Sequence, residues 1–275
     1  MRYYICITPF FPTPTSFVGP YVLDQVKAIE RNSSYKVIVL KPTSFLNKED
    51  DYEYDGIKVY RFVDYALPSN LLPNGLSDAL TYKAFLNKLA NIGVRPEDIA
   101  VCHAHVASLG ATAVRLKRSY PHIKTVIQHH GFDVMSETDG KFADYKWHKK
   151  LCRQRGAAIC NEADLNIGVS RLTLDYVESV PNVNLKDTYV LYNGVDTTLF
   201  KLADKTSNNG IFTIGCIGNF WVIKDQMTLI RAVELLVVKG ITNLKVRFIG
   251  TGITRAECES YICEKRLTPY FEFVP

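Results

Sequence analysis

The sequence predicts an α/β protein of two doubly wound domains, the second of them incomplete. Short apolar runs alternate with amphipathic segments of helix length, which is the pattern of βα units around a mostly parallel sheet. Runs such as Tyr3–Thr8 and Lys36–Leu40 are almost continuously apolar, as expected of strands buried on both faces. The alternation stops in the polar, turn-forming segment Asp204–Gly210 and then restarts. We therefore place the domains at residues 1–200 and 201–275.

The individual elements follow from the same pattern. In the first domain the predicted strands are Tyr3–Thr8, Lys36–Leu40, Ile57–Phe62, Ile99–His103, Thr125–Gln128, Leu165–Val169 and Thr188–Leu191. The predicted helices there are Val18–Arg31, Leu76–Asn91, Ser108–Ser119, Phe142–Cys160 and Arg171–Ser179. In the second domain we predict strands at Phe212–Ile217, Lys245–Ile249 and Phe271–Val274, with helices at Lys224–Lys239 and Arg255–Lys265. A doubly wound domain usually has about five or six strands, so three strands predict an incomplete second domain.

Composition restricts the class of protein. Of 275 residues, 47% are hydrophobic, which is enough for packed cores. The 33 basic and 28 acidic residues give a net charge of only +5, so nothing in the charge predicts a nucleic-acid partner. Seven cysteines without a CxxC pair indicate reduced thiols in a cytoplasmic protein. We see neither a signal peptide nor an apolar run of the roughly 20 residues that a membrane span needs.

The segment Ile214–Gln226 carries the most chemistry. It predicts a strand, a tight turn containing Gly215 and Gly218, and then a helix. Backbone N–H groups at a helix N-terminus bind phosphate readily, and Lys224 adds a full positive charge. A nucleoside diphosphate would fit such a turn, although glycine there could equally serve close packing. A second strand-to-glycine turn, Phe248–Gly252, is expected beside the first.

In the first domain, the loop after the first strand is rich in proline and ends at Gly19. Open α/β sheets bind ligands at the carboxyl ends of their strands, which makes this loop a candidate site. The alternative is a loop that proline stiffens and that contacts no ligand. The segment Leu191–Phe200 closes the domain with an Asn-Gly turn signal, and Asp196 could cap the residues after it.

Two histidine clusters, at His103 and His105 and at His129 and His130, lie near predicted strand ends. Their spacing matches no zinc pattern, and no cysteine stands at ligand spacing, so we predict no metal site. We place His130 in a turn at the rim of the sheet; the alternative is a histidine satisfied by its own turn.

The helix segment Lys146–Arg155 is basic and contains one tryptophan. Such charges usually form a solvated face of a helix. The alternative is a patch that binds anionic lipid head groups or a polyanionic acceptor.

The order of these motifs resembles that of the retaining glycosyltransferases of family 4, which have the GT-B fold. The matching segments are the first loop ending at Gly19, DIAVCHAH, HGFD at His130–Asp133, NIGVS, NGVDTTLF, GNFWVIKD and FIGTG. The resemblance implies two Rossmann-like domains that bind a nucleotide sugar between them and transfer the sugar with retention and without a metal.

The resemblance also assigns roles. It implies His130 near the transferring sugar and Lys224 on the donor diphosphate as the catalytic residues. The donor-binding set is Gly19, Gly218, Asn219, Lys224, Gly250 and Gly252. The residues expected to line the cleft are His105, Asp133, Ser170, Asn193 and Asp196. Asn219 stands where the family often has arginine, and the family's two-glutamate motif would lie beyond Pro275. For that reason we expect the 275-residue chain to be a poor or inactive transferase.

The function expected from the sequence is transfer of a sugar, an activity of the EC 2.4 class, from a nucleotide diphosphate sugar to a glycan, lipid-linked or small-molecule acceptor. No cofactor is expected, and the protein is expected in the cytoplasm or peripherally at the inner membrane face. Two alternatives remain open: a non-catalytic GT-B binding module and a sugar-nucleotide epimerase of the same fold. The sequence leaves the base, the sugar and the acceptor undetermined, and product analysis would separate the alternatives.

Overall fold

A computed structural model describes residues 2–66, 75–131, 146–202 and 210–274. The chain divides into two compact units, Met1–Asp196 and Thr197–Pro275. No helix among the described residues has both the length and the apolar character to cross a bilayer.

The first unit is built on one eight-stranded sheet. Its strands are β1 (Tyr3–Ile7), β2 (Lys36–Ser44), β3 (Tyr52–Tyr54), β4 (Ile57–Asp64), β5 (Ile99–His105), β6 (Lys124–His129), β7 (Leu165–Gly168) and β8 (Thr188–Val190). The spatial order is β3-β4-β2-β1-β5-β6-β7-β8, and every neighbouring pair is parallel except β3 with β4. The chain moves outward from β1 in one direction and resumes at β5 on the other side. The carboxyl ends of β1 and β5 therefore form the topological switch point, where such sheets bind ligands.

Among the described residues, five α-helices connect these strands: α1 (Pro20–Asn32), α2 (Asp78–Asn91), α3 (Ala107–Ser119), α4 (Lys146–Glu162) and α5 (Arg171–Glu178). The centre of β1 is fully buried on both faces of the sheet, because Ile5 and Ile7 belong to one core cluster and Cys6 belongs to another. Burial on both faces explains why β1 reads as a continuous apolar run in the sequence.

The second unit contains a three-stranded parallel sheet in the order β11-β10-β9. Its elements are β9 (Phe212–Ile217), α6 (Gln226–Val238), β10 (Leu244–Ile249), α7 (Arg255–Glu264) and β11 (Phe271–Val274). Phe220 and Phe248 are fully buried at its centre, with ring centroids 5.4 Å apart in an edge-to-face contact. These two sheets, parallel except for the β3–β4 pair and joined by helices, confirm the predicted α/β class.

Several details differ from the sequence prediction, including the following three. Strand β3 was not predicted, because three residues are too few to show an alternating pattern. Helix α1 begins at Pro20 rather than Val18, since Gly19 has a left-handed backbone conformation. Strand β5 continues to His105 instead of ending at His103. The predicted start of α4, residues 142–145, and most of the predicted linker, residues 204–209, lie outside the described residues.

Candidate functional site

In the second unit, the glycine turn after β9 is held in place from three sides. The Gly218 N–H donates to the Ile249 carbonyl at 3.0 Å, and the Phe220 N–H donates to the Thr251 carbonyl at 2.9 Å. From beneath, Nε2 of the buried Gln226 donates to the Asn219 carbonyl at 3.0 Å. The side chain of Asn219 lies at the surface between these anchors. The turn is thus a fixed main-chain platform, and the second glycine turn, 250–252, lies directly against it.

The two turns differ in whether the fold requires glycine at their glycine positions. A Cβ on Gly250 would lie 2.4 Å from the Gly218 carbonyl oxygen, and one on Gly252 would lie 2.2 Å from the Phe220 carbonyl oxygen. Both residues also have positive φ, +137° and +151°, so packing and backbone geometry require glycine there. At Gly218 no atom of the described residues, its two chain neighbours aside, lies within 4 Å of the added Cβ, and φ is not positive. Nothing in the described fold demands glycine at position 218.

Lys224 lies at the end of a short 3₁₀ turn, Val222–Lys224, and its side chain is exposed. The following helix begins at Gln226, so the predicted helix start at Lys224 is wrong by two residues. Asp225 caps this helix with φ +46°: its carboxylate accepts from the Thr228 N–H at 3.3 Å and from the Thr228 hydroxyl at 2.7 Å. One of the first-turn N–H groups expected to be open to phosphate is therefore already bonded.

Arg255 is a cation near this turn that the sequence prediction missed. It donates from Nη1 to the Gly250 carbonyl at 3.2 Å and from Nε to Glu259 at 2.8 Å. The i,i+4 spacing of Arg255 and Glu259 was a signal for an ion pair along α7. The sequence held no signal for the contact with Gly250.

In the first unit, Gly19 ends the loop after β1. A Cβ on it would lie 2.6 Å from the carbonyl carbon of Phe10, and its φ is +87°. Glycine at this position is therefore explained by the close approach of the loop to itself. The Phe11 carbonyl of the same loop accepts a hydrogen bond from Lys41 Nζ at 3.1 Å, which ties the loop to the end of β2.

Three histidines form a column at the switch point. His103 and His105 are on one face of β5, with ring centroids 4.4 Å apart and planes 23° apart. His130, directly after β6, places Nε2 2.9 Å from Nδ1 of His105. At the inner end, the Tyr4 hydroxyl is 2.6 Å from Nδ1 of His103. Placing His103 and His105 on one strand face, as the alternation predicts, agrees with the structure.

Burial controls the protonation of this column. His103 is 1% exposed, and desolvation, followed by the neighbouring His130, lowers its pKa to about 3. Desolvation, followed by His103 and then His130, lowers the pKa of His105 well below its usual value. Burial raises the pKa of the Tyr4 hydroxyl, which therefore stays a phenol that can donate to His103. The inner column is neutral at physiological pH.

His129 is separate from the column. Its Nε2 lies 3.1 Å from Oδ1 of the buried Asn166, whose Nδ2 donates to the Cys160 carbonyl at 2.9 Å. Because Oδ1 can only accept, His129 carries a proton on Nε2. Within the described parts of the chain, no three His, Cys, Asp or Glu side chains are grouped so as to hold a metal ion.

Of the remaining predicted site residues, Ser170, Asn193 and Asp196 are among the described residues. Ser170 is the N-cap of α5 and accepts from the Thr173 N–H at 3.1 Å, so it has a structural role. Asn193 and Asp196 are exposed in an irregular segment; the turn there lies at residues 197–199, which corrects the predicted Asn-Gly turn. Asp133 lies outside the described residues.

The basic segment of α4 presents a mixed surface. Trp147 and Leu151 are 48% and 47% exposed, one turn apart, with the exposed Lys150 beside them. Arg155 instead turns toward Asp78, with contacts of 2.7 Å from Nη2 and 3.1 Å from Nε. This ion pair removes Arg155 from the set of charges predicted to meet a partner.

Comparison with known proteins supplies a family. The model of Glycosyltransferase Family 4 matches residues 18–199, more than half of the chain. A search of curated proteins by sequence gives no match.

Solved structures share the fold at low sequence identity. Sucrose-phosphate synthase from Thermosynechococcus elongatus superimposes with a TM-score of 0.68 at 18% identity, over 99% of this chain and 70% of that one. The lipopolysaccharide outer core galactosyltransferase WaaB gives 0.62 at 14% identity, over 99% and 67%. Anabaena HepE, in complex with UDP and glucose, gives 0.62 at 14% identity, over 99% and 69%. These are GT-B structures, and they confirm the predicted fold.

Proposed function

This chain belongs to glycosyltransferase family 4, and we propose that it moves a sugar from a nucleoside diphosphate sugar to an acceptor hydroxyl, with retention of configuration and without a metal ion. The observation that carries the proposal is Gly218, a glycine that the described fold does not require, on a rigid turn beside an exposed lysine. An unoccupied Cβ position on a rigid turn is what a closely approaching diphosphate needs.

The second unit would bind the donor diphosphate. In this proposal the phosphates lie over Gly218 and Asn219, and Lys224 approaches them from the 3₁₀ turn. Gly250 and Gly252 act indirectly, because they allow the second turn to support the first. The lysine side chain has no ion pair among the described residues, so its charge is available to an anion.

The charge matters most while the donor bond breaks. As C1 of the sugar separates from the phosphate oxygen, negative charge develops on the β-phosphate, where Lys224 and fixed N–H groups stabilise it. The acceptor oxygen bonds to C1 on the face that the phosphate leaves, which retains the configuration. The acceptor proton passes to the departing phosphate, so the step needs neither a metal nor a protein base.

The first unit would contribute His130 as the group near the transferring sugar. Gly19 has no side chain, so any contact of Gly19 with the donor phosphates would be through its main chain. His105, Ser170, Asn193, Asp196 and Asp133 remain proposed lining residues. A glycan, a lipid-linked sugar or a small molecule could be the acceptor.

Calorimetric titration with UDP, GDP and their sugars tests the donor site. HepE holds UDP and glucose, which makes UDP-glucose the first donor to try. Lys224→Ala should lower the transfer rate about 100-fold, since losing one such transition-state contact costs about 3 kcal/mol. The matched control is Lys239→Ala, an exposed lysine at the opposite end of α6. Equal effects of the two variants would remove Lys224 from the mechanism.

Product analysis separates this proposal from its alternatives. A transferase yields a new glycoside, a nucleotide-sugar epimerase yields an isomerised sugar and no glycoside, and a binding module yields neither. The free nucleotide released in each incubation should also be measured, because nucleotide released without a new glycoside indicates donor hydrolysis.

A second proposal concerns α4. The half-exposed Trp147 and Leu151, with Lys150 beside them, have the composition of a helix that lies in a membrane interface. We propose peripheral contact with an anionic membrane, where a lipid-linked acceptor would be found. Trp147→Ala should reduce cosedimentation with phosphatidylglycerol vesicles and have no effect on phosphatidylcholine vesicles; Trp221→Ala, another half-exposed tryptophan, is the control. Equal binding by both variants would refute the contact.

A further inference from the structure

Lys41 and Arg61 place two cationic side chains next to each other in the carboxyl-terminal halves of two strands. They are direct partners in the parallel pairing of β2 with β4. Alternation puts Lys41 on the face of Val39 and Arg61 on the face of Val59, and these two valines belong to the same core cluster. Both cationic side chains therefore leave the sheet on one face.

The charges of this pair are not balanced. Arg61 forms an ion pair with Glu49 through Nη2. Lys41 donates from Nζ to the Phe11 carbonyl at 3.1 Å and has no carboxylate oxygen within 4.0 Å among the residues that the structure describes. Two cations and one carboxylate leave one excess positive charge. Desolvation by burial, followed by the neighbouring Arg61, lowers the pKa of Lys41, and an anion at this place would offset both effects.

Arg61 has a donor that the described fold does not satisfy. Its side chain is 6% exposed, and Nε is buried without a hydrogen-bond partner in the described ranges. Most buried donors in proteins have a partner, so this N–H requires an acceptor from outside those residues, either a water or a ligand. Guanidinium donors match the oxygens of phosphate and carboxylate groups. An anion would satisfy the arginine donor and balance the lysine charge at once.

The fold holds the arginine in place. Its guanidinium lies over the ring of Tyr52, with Cζ 5.0 Å from the ring centroid. The carboxylate partner, Glu49, is fixed in turn, because its N–H donates to the hydroxyl of the buried Thr43 at 3.1 Å. The Arg61 N–H donates to Asp51 at 2.6 Å. A ligand would therefore meet a group that is already oriented, which lowers the entropic cost of binding.

The lysine lies beside the loop after β1, where such sheets bind ligands. Lys41 is bonded to the Phe11 carbonyl of this loop, and the preceding residue, Phe10, is the one that Gly19 approaches. The donor diphosphate already has its proposed platform in the second unit. An anion bound at this loop of the first unit would belong to the other substrate.

We propose that Lys41 and Arg61 form an oxyanion site that binds a phosphate or carboxylate group of the acceptor. The site narrows the acceptor to an acidic or phosphorylated molecule. The assignment to an acceptor rests on the proposed sugar transfer, whereas anion binding can be measured without that function.

Thermal unfolding of the 275-residue chain in increasing inorganic phosphate, with sodium chloride holding the ionic strength constant, measures binding of the phosphate. Glucuronate in place of phosphate tests a carboxylate, and the tighter of the two identifies the group. Lys41→Met removes the charge and should raise the dissociation constant about tenfold or more. Lys36→Met is the matched control, because Lys36 is an exposed lysine at the start of the same strand. A general salting effect of phosphate would raise Tm equally in both variants.

Unchanged affinity for both anions in Lys41→Met, or no binding of either anion by the unmutated protein, would overturn the proposal. Lys41→Gln replaces Lys41→Met if the latter does not fold. Calorimetric titration with UDP separates the two sites, since Lys41→Met should bind UDP within about twofold of the unmutated protein. A parallel loss of UDP affinity would make the anion site part of the donor site and would overturn the assignment to the acceptor.

Kinetics distinguish failure of this proposal from failure of the proposed function. If sugar transfer is observed, Lys41→Met should raise KM for glucuronate as acceptor about tenfold or more and leave KM for glucose within about twofold. Equal increases for the acidic and the neutral sugar would indicate a structural role of Lys41 instead. A protein that binds phosphate through Lys41 but transfers no sugar would disprove only the proposed function.

Discussion

Gly218→Ala should stabilise the fold and weaken donor binding. Apart from its chain neighbours, the added methyl group meets no atom of the described residues within 4 Å, and φ is not positive at this position. Replacing glycine at a compatible position restricts the unfolded chain and raises the free energy of unfolding by about 0.4–1 kcal/mol. A diphosphate on the turn would collide with the methyl group. Overpacking costs about 1–3 kcal/mol, which corresponds to about 5- to 150-fold in the dissociation constant.

Gly250→Ala is the matched variant in the neighbouring turn. Its Cβ would lie 2.4 Å from the Gly218 carbonyl oxygen, with φ at +137°. The strained backbone costs about 1–3 kcal/mol, and the overlap adds about 1–3 kcal/mol. In a domain of 60–100 residues each kcal/mol shifts Tm by about 4–8 °C, so the second unit should melt at least about 8 °C lower.

Circular dichroism melting and calorimetric titration with UDP measure the two effects separately. The two variants should differ in stability. Gly218→Ala should have an unchanged or higher Tm and a lower affinity for UDP than the unmutated protein, whereas Gly250→Ala should have a clearly lower Tm. If both variants lost the same stability, Gly218 would be a packing glycine. If Gly218→Ala bound UDP as the unmutated protein does, no phosphate would approach that turn. Either result would refute the donor site.

Two further predictions concern stability. Asp225→Ala should lower the free energy of unfolding in urea by about 1–3 kcal/mol, because it removes the cap of α6 and places alanine at φ +46°. Asp225→Gly should lower it by only a few tenths of a kcal/mol, because glycine tolerates that φ. Similar losses of stability in the two variants would contradict this account. The pKa of His103 is about 3 in the fold and about 6.5 in the unfolded chain. The unfolded chain therefore binds more protons between these values, and stability should fall as pH decreases from about 6.5 towards 3, by up to about 1.4 kcal/mol per pH unit for this group. Urea unfolding measures the free energy of unfolding at about pH 7 and about pH 5. The decrease between these two pH values should be smaller for His103→Asn than for the unmutated protein. An equal decrease in both proteins would show that His103 is not the titrating group.

The sequence predicted the sheets well because buried parallel strands have a distinct pattern. Runs such as Tyr3–Ile7 are apolar at every position, and turn formers separate them. The short antiparallel strand Tyr52–Tyr54 at the sheet edge was missed, because its pattern is carried by three residues. The start of α6 was misplaced although a signal existed: Asp225, with a threonine three residues later, is a recognised N-cap.

The roles of the glycines could not have been assigned from the sequence. Gly218 and Gly250 both lie in a turn that follows a strand, so the sequence alone gives no reason to assign them different roles. What separates them is the approach of the Gly218 carbonyl to within 2.4 Å of the Cβ position on Gly250. That distance depends on the parallel pairing of β9 with β10, which brings together residues more than 30 positions apart in the chain.

The histidine column shows how strand order creates a relationship that spacing alone does not contain. Alternation along β5 predicts that His103 and His105 share a face, and the structure agrees. The bond from His105 to His130 further requires that β6 lie next to β5 with Gln128 opposite His105. Only then does the residue two positions after Gln128 reach the end of β5. Strand order also puts this pair beside β1, at the switch point, where a ligand would meet His130. A buried neutral histidine that would otherwise count as core is thus in hydrogen-bond contact with a histidine at the rim.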